Sequence, residues 1–127
     1  MAASPKEVVR IYLDELYANK RLELAPQLLA DPTWRHETGK LEKLSLRESM
    51  ERLERNFGHW PGMRFDNIVE IAEGDKVAAV YNGWCTRADG KVDEISGIEV
   101  FRVRDGRIVE VWNSKILAGL WQASPLD

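Results

Sequence analysis

Apolar residues recur at helical spacing through the first half of the chain and at alternate positions through the second. Val8, Val9, Tyr12, Leu13, Leu16 and Tyr17 share one stripe. Ahead of them, Ser4, Pro5 and Glu7 supply a cap, a residue suited to the first helical turn, and the acidic member of a capping box. The pattern predicts a helix from about Pro5 to Ala18. A shorter second helix runs from "NKRLEL" to about Leu29, and Asp31-Pro32 ends it. Thr33 to Glu37 reads as a short strand. Ser45-Leu46-Arg47-Glu48 repeats the capping-box pattern, and the stripe Leu46, Met50, Leu53, Phe57 carries a third helix to about Phe57.

From Met63 onward the period falls to two. Glu73-Gly74, Asp89-Gly90 and Asp105-Gly106 punctuate the alternation as hairpin turns. Four strands are expected, at about Met63–Ala72, Lys76–Arg87, Lys91–Arg104 and Arg107–Ser114, forming an antiparallel meander. "ILAGLWQ" is a closing helix or an edge segment. Three helices followed by a long twisted sheet make an α+β layout. Helices laid across a curved sheet leave a cavity between the layers.

Two-residue turns centred on those Gly pairs set a register in which Val80 and Trp112 flank Glu99. One sheet face then carries Met63, Phe65, Val80, Asn82, Trp84, Glu99, Phe101 and Trp112. The reverse face carries Ile68, Val77, Ala79, Tyr81, Ile98, Val100, Val109 and Val111. Both faces are apolar. One is expected to cover the pocket and the other to meet a second copy of the chain as a homodimer, because a wide bare apolar sheet suits no monomer.

The chain has 127 residues, enough for one domain over 1–127 with a real core. Its net charge is −3 with both signs interspersed, so neither nucleic acid nor a membrane surface is an expected partner. No apolar run approaches a membrane span, and "MAASPKEVV" lacks the apolar core of a signal peptide. A cytoplasmic location is expected. Cys85 is the single cysteine, and His36 and His59 lie in unrelated segments, so no metal site is expected. No glycine loop for phosphate and no dinucleotide fingerprint is present, and no cofactor is expected. Five Trp in so short a chain are unusual and fit either a core or an apolar ligand pocket.

Three polar positions stand out. Glu99 on the Trp-rich face should have a raised pKa, since apolar surroundings disfavour its charge; the plainer alternative is a bulge that turns it outward, or pairing with Arg102. His36 in "TWRHETG" shares a strand face with Trp34, while Arg35 and Glu37 point the other way. It is either a base in the pocket or a polar strand residue bonded to backbone. Tyr12 serves the core or the pocket.

These residues also carry a family resemblance. The pieces "EVVRIYLDELYANKRLELAPQLLADPTWRHETG", "EIAEGDKVAAVYNGW" and "ISGIEVFRVRDGRIVEVW" resemble the nuclear transport factor 2-like superfamily, in its SnoaL-like and ketosteroid-isomerase-like branch, from Glu7 to about Gln122. The resemblance implies a cone-shaped fold, with three N-terminal helices packed on a curved mixed or antiparallel sheet enclosing a pocket. It further implies that Tyr12 and a protonated Glu99 donate hydrogen bonds to a substrate oxygen, with His36 at the position of the base. Where many SnoaL-like cyclases carry an acid after the last-strand Trp, this chain reads "VWNSKIL".

The expectation is therefore cofactor-independent acid/base chemistry on a hydrophobic carbonyl or enol substrate: isomerisation, cyclisation or aldol-type bond formation. His36, Tyr12 and Glu99 are the catalytic candidates, and Trp34, Phe65, Asn82, Trp84 and Trp112 the substrate-binding ones. The alternatives are a ligand-binding or scaffold protein without catalysis and, as a minor reading, an enzyme resembling limonene epoxide hydrolase.

Overall fold

Ser4 caps the first helix through its side-chain oxygen, which accepts the Glu7 N–H at 3.3 Å. The computed structural model describes residues 3–127; Met1 and Ala2, part of the expected 1–127 domain, lie outside the described residues. Helix α1 spans Pro5–Ile11 and runs on into a wider, π-wound segment, Tyr12–Ala18. A tight turn at Leu22–Leu24 leads into the short α2, Ala25–Leu28. Strands β1 (Leu29–Glu37) and β2 (Lys40–Leu44) form a hairpin. Helix α3, Leu46–His59, opens with a full capping box: Ser45 Oγ accepts the Glu48 N–H at 3.1 Å, and Glu48 Oε1 accepts the Ser45 N–H at 3.0 Å. The meander follows as β3 (Gly62–Glu73), β4 (Lys76–Thr86), β5 (Val92–Arg104) and β6 (Arg107–Asn113), and β7 (Leu117–Ala118) closes it.

The sheet order is β2-β1-β6-β5-β4-β3, with β7 also on β5. β1 and β6 run parallel and the remaining pairs antiparallel, so the sheet is mixed and open. The helices lie across its concave face. Val8, Val9 and Leu16 from the first helix and Leu53 from α3 meet Val77, Phe101, Ile108 and Val111 from the sheet. This is the expected α+β cone.

Two expectations need correction. β2 was absent from the sequence reading. Its residues are almost all exposed, so it buries no apolar face and carries no alternation signal; the positive φ of Thr38 and Gly39 is what makes its turn. The second correction concerns register. The β4–β5 loop holds three residues, not two: Arg87 N donates to Lys91 O at 2.8 Å and Gly90 N to Arg87 O at 2.9 Å, with Gly90 at φ +86°. That is a turn closed by a left-handed glycine. The added residue moves β4 by one place against β5, so Glu99 faces Ala79 and Tyr81 faces Gly97. Extra residues at Ile68 in β3 and Val109 in β6 shift the neighbouring pairs too, and Glu99 stands opposite Asn113 rather than Trp112.

A one-place slip exchanges the two faces of a strand. Ala79, Tyr81 and Cys85 of β4 therefore look inward with Glu99 and Phe101 of β5, and Val80, Asn82 and Trp84 look out. Asn82 serves as a clamp on the convex face: its Oδ1 accepts the Trp121 N–H at 2.8 Å and its Nδ2 donates to Trp121 O at 3.2 Å. Trp121 Nε1 donates to Gly97 O at 3.3 Å, which straps the chain after β7 over the sheet.

Gly97 makes room on the concave side. A Cβ there would stand 2.5 Å from the Tyr81 hydroxyl and 2.8 Å from the ring carbon that bears it. Gly97→Ala should cost about 1–3 kcal/mol through overpacking. The cost should shrink in a Tyr81→Phe background, which removes the nearest atom; denaturant unfolding of the four-member cycle measures both.

Candidate active site

Between helices and sheet lies a cavity of about 70 Å³ that opens to the surface. The first helix contributes Tyr12, Leu13 and Tyr17. Arg35 comes from β1, Arg52 and Asn56 from α3, and Trp60 from the segment after α3. The sheet adds Met63, Phe65, Ala79, Tyr81, Ile95, Glu99, Phe101 and Asn113. The apolar rings build the walls, and the polar groups come from six separate elements: the first helix, β1, α3, β4, β5 and β6.

The π-wound segment explains how one helix delivers two phenols. Tyr12 and Tyr17 are five residues apart, a spacing that would set them about 140° apart around an α-helix, at the two margins of its apolar stripe. Winding with i to i+5 bonds stacks them one turn apart, and their rings meet edge-on at 5.1 Å and 79°. Arg52 Nη1 donates to the Tyr17 hydroxyl at 3.0 Å. Arg35 is 7% exposed, and its Nε is buried with no hydrogen-bond partner. The nearest carboxylate, Glu37 Oε2, lies 3.7 Å from that nitrogen. Arg35, Arg52 and Tyr12 also border a small void behind the cavity, so they form its floor.

Glu99 is 9% exposed and, among the described residues, forms no ion pair. Burial pushes its carboxyl pKa up, while Arg35 and Arg52 pull against that shift. The two phenols diverge. Burial, then Tyr17, raises the Tyr12 pKa well above the ordinary phenol value. Burial would raise Tyr17 as well, but the Arg52 and Arg35 guanidinium groups outweigh it, and its pKa is lowered. Tyr12 is thus a neutral donor and Tyr17 an activated one. Cys85, at the edge of the cavity, is pushed up to about 11 by burial and then by Asp93, which leaves its thiol unreactive.

Of the residues singled out in the sequence, Tyr12, Phe65 and Glu99 converge on the cavity. Trp34, His36, Asn82, Trp84 and Trp112 stand on the convex face instead. The parity argument for β1 holds, since Trp34 and His36 do share a face, but that face is the outer one. His36 pairs with Trp112 across the parallel β1–β6 ladder and stacks on its ring at 5.0 Å and 6°. Its Nε2 lies 2.7 Å from Glu110 Oε2, which places it in a surface network with Arg102. Trp34 is 39% exposed beneath Lys43. Trp84 carries the Arg64 guanidinium 3.9 Å above its ring.

The sequence reading passed over Arg35, Tyr17, Arg52 and Asn113. Arg35 was visible as the residue of opposite parity to Trp34. Tyr17 lay on the apolar stripe already drawn. Nothing in the local pattern marked Arg52, which sits between the exposed and apolar stripes of α3. Among the described residues no group of three or more His, Cys, Asp or Glu side chains gathers to hold a metal ion, and no helix is long and apolar enough to cross a membrane.

The raised Glu99 pKa has a measurable consequence for stability. The folded protein holds that proton more tightly than the unfolded chain, whose value lies near 4.5. The stabilisation is therefore complete below that value and is lost as pH rises through the folded pKa. Glu99→Gln should gain stability relative to wild type as pH rises from 4 to 8, read from paired denaturant midpoints. A difference that stays flat, or moves in favour of wild type, would show Glu99 held ionised by the two arginines.

Several solved structures share this fold. A candidate polyketide cyclase from Acidithiobacillus ferrooxidans superposes with a TM-score of 0.79 at 21% identity, covering 89% of this chain and 88% of that one. IdmH, a candidate polyketide cyclase from Streptomyces antibioticus, gives 0.75 at 20% identity, covering 91% and 92%. An epoxide hydrolase of the LEH-like type from M. tuberculosis gives 0.75 at 19% identity, covering 87% and 80%. At such identities the likeness is one of fold. No curated protein sequence matches the chain. The family model described as the SnoaL-like domain matches residues 9–111, and with most of its length so matched, the chain belongs to the SnoaL-like domain family.

Proposed function

We propose that the cavity binds a hydrophobic carbonyl or enol compound and moves a proton on it without a cofactor. Glu99 carries the reading: it is a buried carboxyl of raised pKa, walled by aromatic rings and facing two guanidinium groups and two phenols. A base works best when its pKa approaches the working pH, and burial moves Glu99 in that direction. Its carboxylate takes the proton from the carbon next to the carbonyl. The oxygen that gains charge lies against the Tyr12 hydroxyl and the free Nε–H of Arg35, donors already fixed in a site of low dielectric. Returning the proton to a different carbon is isomerisation. Attack of the enolate on a second carbonyl is the aldol-type cyclisation that the cyclase-like neighbours suggest. Glu99 thus takes over the base role first expected of His36, and Arg35 joins Tyr12 as the oxyanion donor.

A second reading rests on one observation. Arg35 has Glu37 within 3.7 Å and acts electrostatically on Glu99, and an arginine with two carboxyls near it suits the addition of water to an epoxide, the activity named for the mycobacterial neighbour. A binding protein without catalysis uses the same walls. The homodimer through the convex face also belongs to this proposal, because Trp34, Ile98 and Trp121 leave apolar surface exposed there.

The readings separate in one set of assays. Wild-type protein in D2O should speed α-proton exchange of 2-tetralone, followed by NMR. Glu99→Gln should remove that acceleration, Tyr12→Phe should reduce it roughly 100- to 1,000-fold, and His36→Ala should leave it unchanged. Loss of exchange in His36→Ala with retention in Glu99→Gln would reverse the assignment. Hydrolysis of styrene oxide without ketone exchange would favour the second reading, and neither activity would leave the binding protein.

A further inference from the structure

Arg52 is the charge in the cavity with no carboxylate in ion-pair contact among the described residues. Arg35 has Glu37 within 3.7 Å, whereas Arg52 forms no ion pair among the described residues. Its observed partner is the phenol oxygen of Tyr17. Glu99, on the sheet side of the cavity, has its carboxyl pKa raised by burial against the pull of Arg35 and Arg52, and makes no ion pair with either among the described residues. Placing a guanidinium in an apolar cavity without a carboxylate carries a desolvation cost. A fold that needed only packing at this place would be served better by an apolar side chain. Tyr17 sharpens the point: its oxygen accepts from Arg52, so its own O–H remains free to donate, and two donors 3.0 Å apart present themselves together.

We infer that the cavity selects ligands bearing a carboxylate, anchored by Arg52 and the Tyr17 hydroxyl at the floor, with the apolar body running along Phe65, Phe101 and Trp60 toward the mouth. This deepens the proposed function and shares its assumption that the cavity is the ligand site. It adds that the carbonyl compound is an acid, with its enolisable carbon held beside Glu99 and its carboxylate held away from it. Guanidinium and phenol suit a planar carboxylate because both donors can reach its two oxygens at once. Proton transfer at Glu99 and anchoring at Arg52 are separate events, and separate residues report them.

The test uses unreactive ligands, so that binding is read apart from catalysis. Calorimetric titration compares 2-naphthoate with 2-naphthamide, and octanoate with octanamide, each amide being the neutral isostere of its acid. The acids should bind wild-type protein at least about tenfold more tightly than the amides. Arg52→Met, which keeps the apolar stem and removes the charge, should abolish the preference and leave the thermal midpoint unchanged or raised. Tyr17→Phe should lower affinity for the acids severalfold and leave that for the amides alone. Glu99→Gln should keep the preference while losing α-proton exchange, which separates this inference from the catalytic reading. Equal affinity for acids and amides, failure of both acids to bind, or a preference that survives both Arg52→Met and Tyr17→Phe would overturn it. A fall in the Arg52→Met midpoint with the preference intact would make Arg52 a structural residue.

Discussion

A β-strand offers its side chains to two faces in strict alternation, and here a single loop residue decides which set meets the cavity. The Ala88–Asp89–Gly90 connection holds three residues where two would close a hairpin. Gly90 accepts the left-handed conformation that makes this possible, and Arg87 and Lys91 become the closing pair. That offset sets Glu99 opposite Ala79 and sends Trp84, Asn82 and Val80 to the convex side. Glu99 sits in a closed apolar environment because of this pairing, and the pKa shifts around it follow from that burial. Gly97 and Gly83 complete the arrangement. Neither carries a side chain, so the rings of Tyr81 and Phe65 lie across the sheet and line the hollow.

The cavity mixes charge and grease in a way that a purely structural core would not. Two guanidinium groups, three phenols, of which Tyr12 and Tyr17 are displaced in pKa in opposite directions, and one buried carboxyl sit among Phe, Met, Ile and Trp side chains. Each of these groups costs desolvation energy in the absence of ligand, and the unpaired Arg35 Nε–H is the plainest instance. Such costs are typical of sites that stabilise charge appearing elsewhere, on a bound molecule or along a reaction coordinate. The charges are also arranged with direction. The two guanidinium groups lie at the floor, and the carboxyl comes from the sheet side.

The convex face is organised differently. His36, Glu110, Arg102 and Asp75 form a chain of polar contacts across three strands and the β3–β4 turn, with Trp112 between the His36 ring and the Arg102 guanidinium. The tail beyond β7 crosses this face under the grip of Asn82. Tryptophans that looked like pocket walls are therefore the covering of an outer surface, where their size shields sheet hydrogen bonds and supports long cationic side chains.

Much of this was legible along the chain. Helical spacing and two capping boxes located α1 and α3, since a cap and its stripe are local features. The Gly-containing turns located β3 to β6 within a residue or two, and Tyr12, Phe65 and Glu99 were recognised as inward residues. The Ser-x-x-Glu and Asp-Gly signals are short-range chemistry, and short-range chemistry survives folding unchanged. The faces of β4 and β1 were decided elsewhere. A loop longer by one residue and bulges at Ile68 and Val109 change parity without changing composition. The direction in which His36 points depends on the parallel pairing of β1 with β6, which joins segments more than 70 residues apart. Only that pairing turns Arg35 inward, and only the packing of α3 against the π-wound turn brings Arg52 to Tyr17. Alternation along a strand is written in the sequence, but which side of the sheet is the inside is set by neighbours distant in the chain.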